Sequence, residues 1–505
     1  QPWFANLEGR AEAPALPDPV AWHAALRASA AVECTPIADA RDAPQRGPLV
    51  LDAQGRVYLR RYFECERRLA RELIARARGD RLKLVTGGPG TGKTHGVVRT
   101  LVALAETAHA QSRALRIALA APTGKAAARL AESVRAQLPA LRLPEPVAAM
   151  IPREASTLHR LLGLSPLRAG AKFDRGQPLP FDVVVVDDVS MVDLPALARL
   201  ADAVREDALL VLLGDPDQLS AVEAGDVLGA LADAAREPPL AHCHAHLAHS
   251  HRFGGDTALG RLADAIVRQD ADAALAILGD DGEARLVAGD AQHARVVERA
   301  VEAYRTIRDA TDAAQALREA NRFRVLTALR HGPSGNLALD RAIEQRLKRH
   351  AGVRADTQWW RGRLLMVTAN RPEPGLSNGD VGVVWPDAHD RPRVWFAGED
   401  GAPRAIPPAA LPPHEGAFAL TVHKAQGSEF GNVALVLGSD TPVLTRELLY
   451  TGVTRAREGM HIYGDAALLR AGIGRRTLRW NGLADRLREA AAGHISIAES
   501  LPAPL

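Results

Sequence analysis

Lysine is scarce in this chain of 505 residues: Lys83, Lys93, Lys125, Lys172, Lys348 and Lys424 are the only six among 63 basic side chains. Arginine supplies the rest, the skew a G- and C-rich coding bias produces. Three of the six lysines fall inside the motifs described below, where a compact ammonium does what a planar guanidinium does poorly. Aromatic residues make up only 4% of the chain, which argues against an extended platform for stacking bases. Three widely spaced cysteines, Cys34, Cys65 and Cys243, form no CxxC pair. That excludes a disulfide framework and fits a reducing cytoplasm. The longest apolar runs, 183–186 and 208–213, are far too short to cross a membrane, and no secretory start is present. Net charge is +3, so any basic track must be local rather than global. The chain opens on Gln1 rather than Met and reads as lacking its natural start.

What remains is the composition of a soluble globular protein, 47% hydrophobic and 24% charged, with length for about three domains. Residues 1–75 read as a mainly helical region with Pro-rich breaks, and 58–78 carries Leu69, Leu73 and Ile74 on one helical side. From residue 82 onward short apolar runs alternate with amphipathic stretches. Strands are expected at 82–86, 116–120, 183–186 and 209–213, and again at 323–326, 433–437 and 461–463. That alternation predicts an α/β fold with helix-covered parallel sheets. Residues 378–415 are rich in Gly, Pro and short β-type runs, and read as a small β module inserted in the second α/β unit.

The strongest single motif is Gly87-Gly88-Pro89-Gly90-Thr91-Gly92-Lys93-Thr94, which satisfies GxxxxGK[ST] between an expected strand and an expected helix. Glycines let backbone N–H groups converge on phosphate oxygens, and the helix start adds favourable partial charge. Lys93 would neutralise the terminal phosphates of ATP, and Thr94 would ligate Mg²⁺. Downstream, 183–186 ends in Asp187 and Asp188: the first is placed to hold Mg²⁺, the second to orient or deprotonate an attacking water. A third strand end, Leu213-Gly-Asp215-Pro-Asp217-Gln218-Leu219, offers Gln218 to the γ-phosphate.

The order and spelling of these segments resemble superfamily 1 helicases, the RecD branch most. Ala121-Pro122-Thr123-Gly124-Lys125 with the following Ala-Ala-Ala-Arg-Leu130 looks like its first DNA-contacting motif, and Ser156-Thr157-Leu158-His159 its second. Val189–Asp193, Ala221–Gly225, Ser250-His251-Arg252-Phe253, Arg324–Arg330, Asn378-Gly379-Asp380, Leu420–Phe430 and Leu449–Arg457 agree with it. The resemblance implies two RecA-like P-loop lobes, 76–248 and 249–377 with 416–505, and a small SH3-like β insertion at 378–415. The helical region 1–75 would dock partners. It further implies that Arg252 and Arg455 reach the γ-phosphate from the second lobe and that Glu429 accepts from the ribose. Pro122, Thr123, Thr157, His159, Thr421 and His423 would meet DNA phosphates. The activity implied is ATP-driven 5′–3′ movement on single-stranded or tailed DNA beside RecB-like and RecC-like subunits, with the nuclease in a partner. A weakly active nucleotide- and DNA-binding subunit and a free-standing helicase stay open as alternatives.

Three departures from the family pattern stand out. Asp188 occupies a position usually held by Glu, shortening its reach by roughly 1.5 Å. No glutamine lies between Gln54 and Gly87 to read adenine, which points to relaxed base contact or an omitted segment. His251 stands where Tyr is frequent. The run His242, Cys243, His244, His246, His249 and His251 invites a metal reading, but lacks a second ligand cluster and reads as a solvated loop. Trp359-Trp360 reads as a packed apolar edge.

Overall fold

The computed structural model describes residues 18–35, 47–164, 170–221, 225–248, 250, 257–279, 282–289, 291–371, 375–398, 402–477 and 481–493. Why the first lobe forms is visible in one strand. Val183–Val186 is buried throughout, and its residues alternate between two apolar layers. Val184 and Val186 join Leu210 and Leu212 on one side, while Val183 and Val185 join Val211 and Leu213 on the other. That is the period of two of a strand covered on both faces. Helices Lys93–Ala110 and Gly124–Gln137 cover one face through Val97, Leu101, Leu130 and Val134. Helices Arg60–Arg78, Leu194–Ala203 and Val227–Ala234 cover the other through Leu69, Leu73, Leu197 and Leu228.

Among the described residues four sheets form. The first lobe's sheet runs Ser156–Thr157, Ile117–Ala121, Val183–Val186, Leu209–Gly214, Leu82–Gly87, His244–Leu247, all parallel. The second lobe's sheet runs Ala284–Val287, Ala456–Tyr463, Phe430–Val436, Phe323–Thr327, Ala419–Thr421, also all parallel. These are two RecA-like lobes. An antiparallel sheet of Pro403–Ile406, Pro392–Ala397, Val381–Pro386, Leu364–Val367 and His414–Gly416 closes over Leu365, Val384, Val394 and Phe396. Beside it Trp360 is buried and stacks on Phe418.

Four expectations need correction. Among the described residues, the 1–75 region is not separate. Val32–Cys34, Leu49–Leu51 and Val57–Leu59 form a small sheet, and helix Arg60–Arg78 belongs to the first lobe, since Leu69, Ala70, Leu73, Ile74 and Ala77 lie in its core. Residues 416–505 do not all stay in the second lobe. Helix Leu483–Ala491 returns to the first, burying Leu483, Leu487 and Ala490 against it, and Gly482 N donates to Glu66 Oε1 at 2.9 Å. The antiparallel sheet extends beyond 378–415, because Leu364–Val367 pairs with both Val381–Pro386 and His414–Gly416. Finally, His244–Leu247 is an edge strand, not a loop. It pairs with Leu82–Gly87, and Thr86 Oγ1 lies 2.7 Å from His244 Nε2 and 3.0 Å from His246 Nδ1, so the two imidazoles share one hydroxyl. His249 and His251 lie outside the described residues.

Candidate nucleotide site at the lobe boundary

The first lobe's parallel sheet ends its strands at the boundary, where open α/β sheets place ligands, and the second lobe meets it with residues that directly precede strands Phe430–Val436 and Ala456–Tyr463. Strand Leu82–Gly87 delivers the glycine-rich loop, and Gly92 turns it into helix Lys93–Ala110 at φ +83°, a left-handed conformation that a side chain disfavours. Gly90 also has positive φ, at +76°. The loop binds itself: Lys93 Nζ donates to the Gly87 and Gly88 carbonyls, the latter at 2.8 Å, and Thr91 Oγ1 donates to Gly88 O at 2.9 Å. Ser250 Oγ donates to Pro89 O at 2.9 Å, tethering the start of the second lobe to the loop. Backbone N–H groups at a helix start, with an ammonium folded over the loop, suit a polyphosphate. Thr94 sits half-buried in the first helical turn.

Asp187 and Asp188 follow Val183–Val186 directly. Asp187 Oδ1 accepts from Asp188 N at 2.9 Å, and Asp188 itself adopts φ +52°. Burial, and then the neighbouring Asp188 charge, hold the Asp187 carboxyl well above the ordinary range, while Lys93 and Arg129 oppose that rise. Asp215, at the next strand end, is only 3% exposed and its carboxyl is likewise raised by burial, with Lys93 opposing. Lys93 therefore lies close enough to act on both carboxylates. Gln218 is present but turned inward: its Nε2 donates to Asp215 Oδ2 at 2.9 Å.

The second lobe completes the cluster. Tyr450 hydroxyl donates to Asp215 Oδ2 at 3.0 Å, and a β-carbon on Gly88 would stand 2.9 Å from that hydroxyl. Arg446 pairs with Asp217 at 3.1 Å. Leu219 N donates to Thr451 Oγ1 at 2.8 Å, and Gln426 Nε2 donates to Leu219 O at 2.8 Å. From the first lobe, Arg129 donates to Gly427 O at 3.0 Å and pairs with Glu429. Arg455 is buried, held by Thr451 O, Ser428 O and Thr454 Oγ1, and its charge acts on Tyr450. Arg252 lies outside the described residues.

Residues 70–224 match the AAA domain family, and residues 416–463 match the UvrD-like helicase C-terminal domain. A curated relative, the RecBCD enzyme subunit RecD of Mycobacterium tuberculosis (strain CDC 1551 / Oshkosh), is 38% identical over 530 aligned positions, covering 97% of this chain and 88% of that protein. The chain belongs to the RecD family. RecD of Mycolicibacterium smegmatis is 41% identical over 85% of this chain and 76% of its own length. The ATP-dependent RecD2 DNA helicase of Deinococcus radiodurans is 33% identical over 81% of this chain and 51% of its own length.

Within this RecD-family chain the expected DNA-contacting residues also sit at strand ends. Thr123 caps helix Gly124–Gln137, accepting from Ala126 N at 3.2 Å. Thr157 caps the next short helix, accepting from Arg160 N at 3.2 Å, and His159 is exposed beside it. Pro122 and His423 are half-buried, and Thr421 is buried with its hydroxyl accepting from Lys424 N at 3.4 Å. A β-carbon on Gly427 would lie 3.7 Å from Thr123 Oγ1, so the two lobes' loops meet here as well. Glu429, expected at the ribose, has its oxygens engaged by Arg129 and Arg457, and a sugar would have to compete with two guanidinium groups. Sequence reasoning did not assign Arg129, Ser250, Gln426, Arg446 or Tyr450. All lie in or beside the quoted motifs, but nothing in their spelling says which neighbour they meet.

Proposed function

We propose that this chain is an ATP-dependent 5′–3′ single-strand DNA translocase and helicase, working as a subunit beside RecB-like and RecC-like partners on double-strand DNA ends in the cytoplasm. One observation carries the reading: the phosphate loop and the Gln218 loop of one lobe are contacted directly by Tyr450, Arg446 and Gln426 of the other. A small-molecule kinase needs no such arrangement. A motor does, because nucleotide binding must change how its two grips on DNA relate.

ATP would sit with its phosphates on Gly87–Thr94, facing Lys93. Thr94 and Asp187 are the residues to hold Mg²⁺, which usually keeps several waters and few protein ligands and would neutralise phosphate charge. A buried carboxyl that resists ionising alone gains most from a cation beside it. Asp188 would orient water. Arg455, with Arg252, would supply guanidinium charge from the second lobe, so that stabilisation of the transferring phosphoryl group depends on lobe closure. Pro122, Thr123, Thr157, His159, Thr421 and His423 would hold the DNA backbone without reading sequence.

The partner reading has its own support. Helix Pro19–Ala28 buries none of its residues, and Val20, Trp22, Val57 and Leu59 are exposed on the N-terminal segment. Exposed apolar side chains gathered on this segment are consistent with a docking role. Among the described residues no helix is long and apolar enough to cross a membrane.

The test is strand separation on 5′-tailed and 3′-tailed duplexes, wild type beside Lys93→Gln, with and without co-purified partners. ATP-driven opening of the 5′-tailed substrate that Lys93→Gln abolishes supports the proposal. Equal activity of the two proteins, or no ATP-driven opening by either, refutes it.

A further inference from the structure

The Asp215 carboxylate is a shared acceptor. Its Oδ2 receives the Gln218 amide at 2.9 Å and the Tyr450 hydroxyl at 3.0 Å, while Oδ1 receives Asp217 N at 3.1 Å. Asp215 is 3% exposed and Tyr450 6%, so water cannot readily replace a donor that leaves. The same hydroxyl abuts Gly88 of the phosphate loop. Tyr450 lies on helix Arg446–Val453, which ends two residues before Arg455. The loop partner is equally committed to the second lobe: Leu219 is buried in that lobe's core, and its N–H and C=O bond Thr451 and Gln426.

We propose that Tyr450 is a positioning residue that passes the nucleotide state of the phosphate loop to the second lobe, through the carboxylate of Asp215 that it shares with Gln218. The inference rests on the motor reading above and deepens it. With Gln218 on Asp215, the carboxylate has two side-chain donors. When Gln218 turns to a terminal phosphate oxygen it vacates Oδ2, and a buried anion that has lost one donor holds the remaining one more firmly. Arrangements that keep Tyr450 against Asp215 are thereby favoured while the phosphate is present, and Arg455 travels with the same helix. After phosphate leaves, Gln218 returns and the hold on Tyr450 relaxes. The surroundings of Tyr450 fit the role: burial, and then the Asp215 and Asp217 charges, keep the phenol protonated and donating, against the opposing charge of Arg455.

Tyr450→Phe deletes the hydroxyl and keeps the ring. It should lower DNA-stimulated kcat about tenfold, leave the KM for ATP within about twofold, and reduce base pairs opened per ATP. Asp215→Ala, which removes the acceptor itself, should do the same, and the double variant should be little worse than either single one, because one shared bond is lost in all three. A structural role alone would not confine the loss to kcat or make it non-additive. Wild-type kcat and coupling in Tyr450→Phe, or additive losses, overturn the inference. Because the wild type runs beside Lys93→Gln, failure of the motor reading itself is seen separately, as absence of ATP-driven opening by the wild type. Should Tyr450→Phe fold poorly, 3-fluorotyrosine placed at 450 serves instead. Its ¹⁹F resonance should move on adding a non-hydrolysable ATP analogue and move differently with ADP. One unchanged resonance in both overturns the proposal.

Discussion

Two loops from neighbouring strands of one sheet satisfy their polar groups in opposite ways. The phosphate loop after Leu82–Gly87 satisfies them mainly within itself, through Lys93 and Thr91 onto its own carbonyls. The loop after Leu209–Gly214 satisfies them partly on its own Asp215 and partly across the boundary, through Tyr450, Arg446, Thr451 and Gln426. A loop satisfied mainly within itself depends less on the other lobe for its shape, as a binding element needs. A loop whose donors and acceptors belong half to the other lobe cannot move without it, as a transmitting element needs. On the proposed function, the contrast separates holding the nucleotide from reporting it.

Substitutions should divide along that line. The largest effect belongs to the holding side: Lys93→Gln should cost roughly a thousandfold in ATP turnover, with and without DNA, as steady-state assays would show. Asp188→Glu comes next. A family member with Glu here reaches further, and misplacement of about 1 Å can cost on the order of a hundredfold. The longer side chain should therefore raise turnover about tenfold; unchanged turnover would mean that the left-handed backbone of Asp188 already compensates. On the transmitting side, Arg446→Met removes the partner of Asp217 and three hydrogen bonds of a buried guanidinium. Its stability cost is on the order of 2–3 kcal/mol, below that of a fully enclosed pair because Asp217 is partly exposed. DNA stimulation should fall further than nucleotide affinity in this variant. Equal loss of both would erase the distinction between the loops.

Much of the holding side was legible in the sequence because each part is local. A GxxxxGK[ST] run and a valine run ending in two aspartates are each spelled in consecutive residues. The strand interiors were legible for the same reason, since apolar runs of four to six residues between helical patterns leave little choice. The transmitting side is written in pairs more than 200 positions apart, such as Asp215 with Tyr450, and no local pattern names such a partner. The return of Leu483–Ala491 to the first lobe was hidden likewise. Its amphipathic face says that it packs, not on what. Strand His244–Leu247 was missed because its apolar positions are few and its imidazoles find their partner, Thr86, on the neighbouring strand.

A third point of contact sharpens the comparison further. Lys125 opens helix Gly124–Gln137, where the positive end of the helix dipole is unfavourable to a cation. Burial, and then the charges of Arg324, Arg129 and Arg455, push its ammonium down to about 8, with Asp380 opposing. In the unfolded chain the same group titrates near 10.4. The folded state therefore carries the full penalty of a crowded cation below pH 8, and sheds it as pH rises from there toward 10.4. Lys125→Met should raise Tm by about 1–3 °C at neutral pH, with the advantage shrinking as pH rises through that window. An anionic DNA backbone at the boundary would reverse the balance by making the charge useful, so the wild type should bind single-stranded DNA more tightly than Lys125→Met at pH 7, and the gap should close above pH 8. Calorimetry and binding titrations across pH 7–10 check both. If the Tm gap holds constant over that range, Lys125 titrates normally, and the boundary is not the cation-crowded place that an incoming phosphate would relieve.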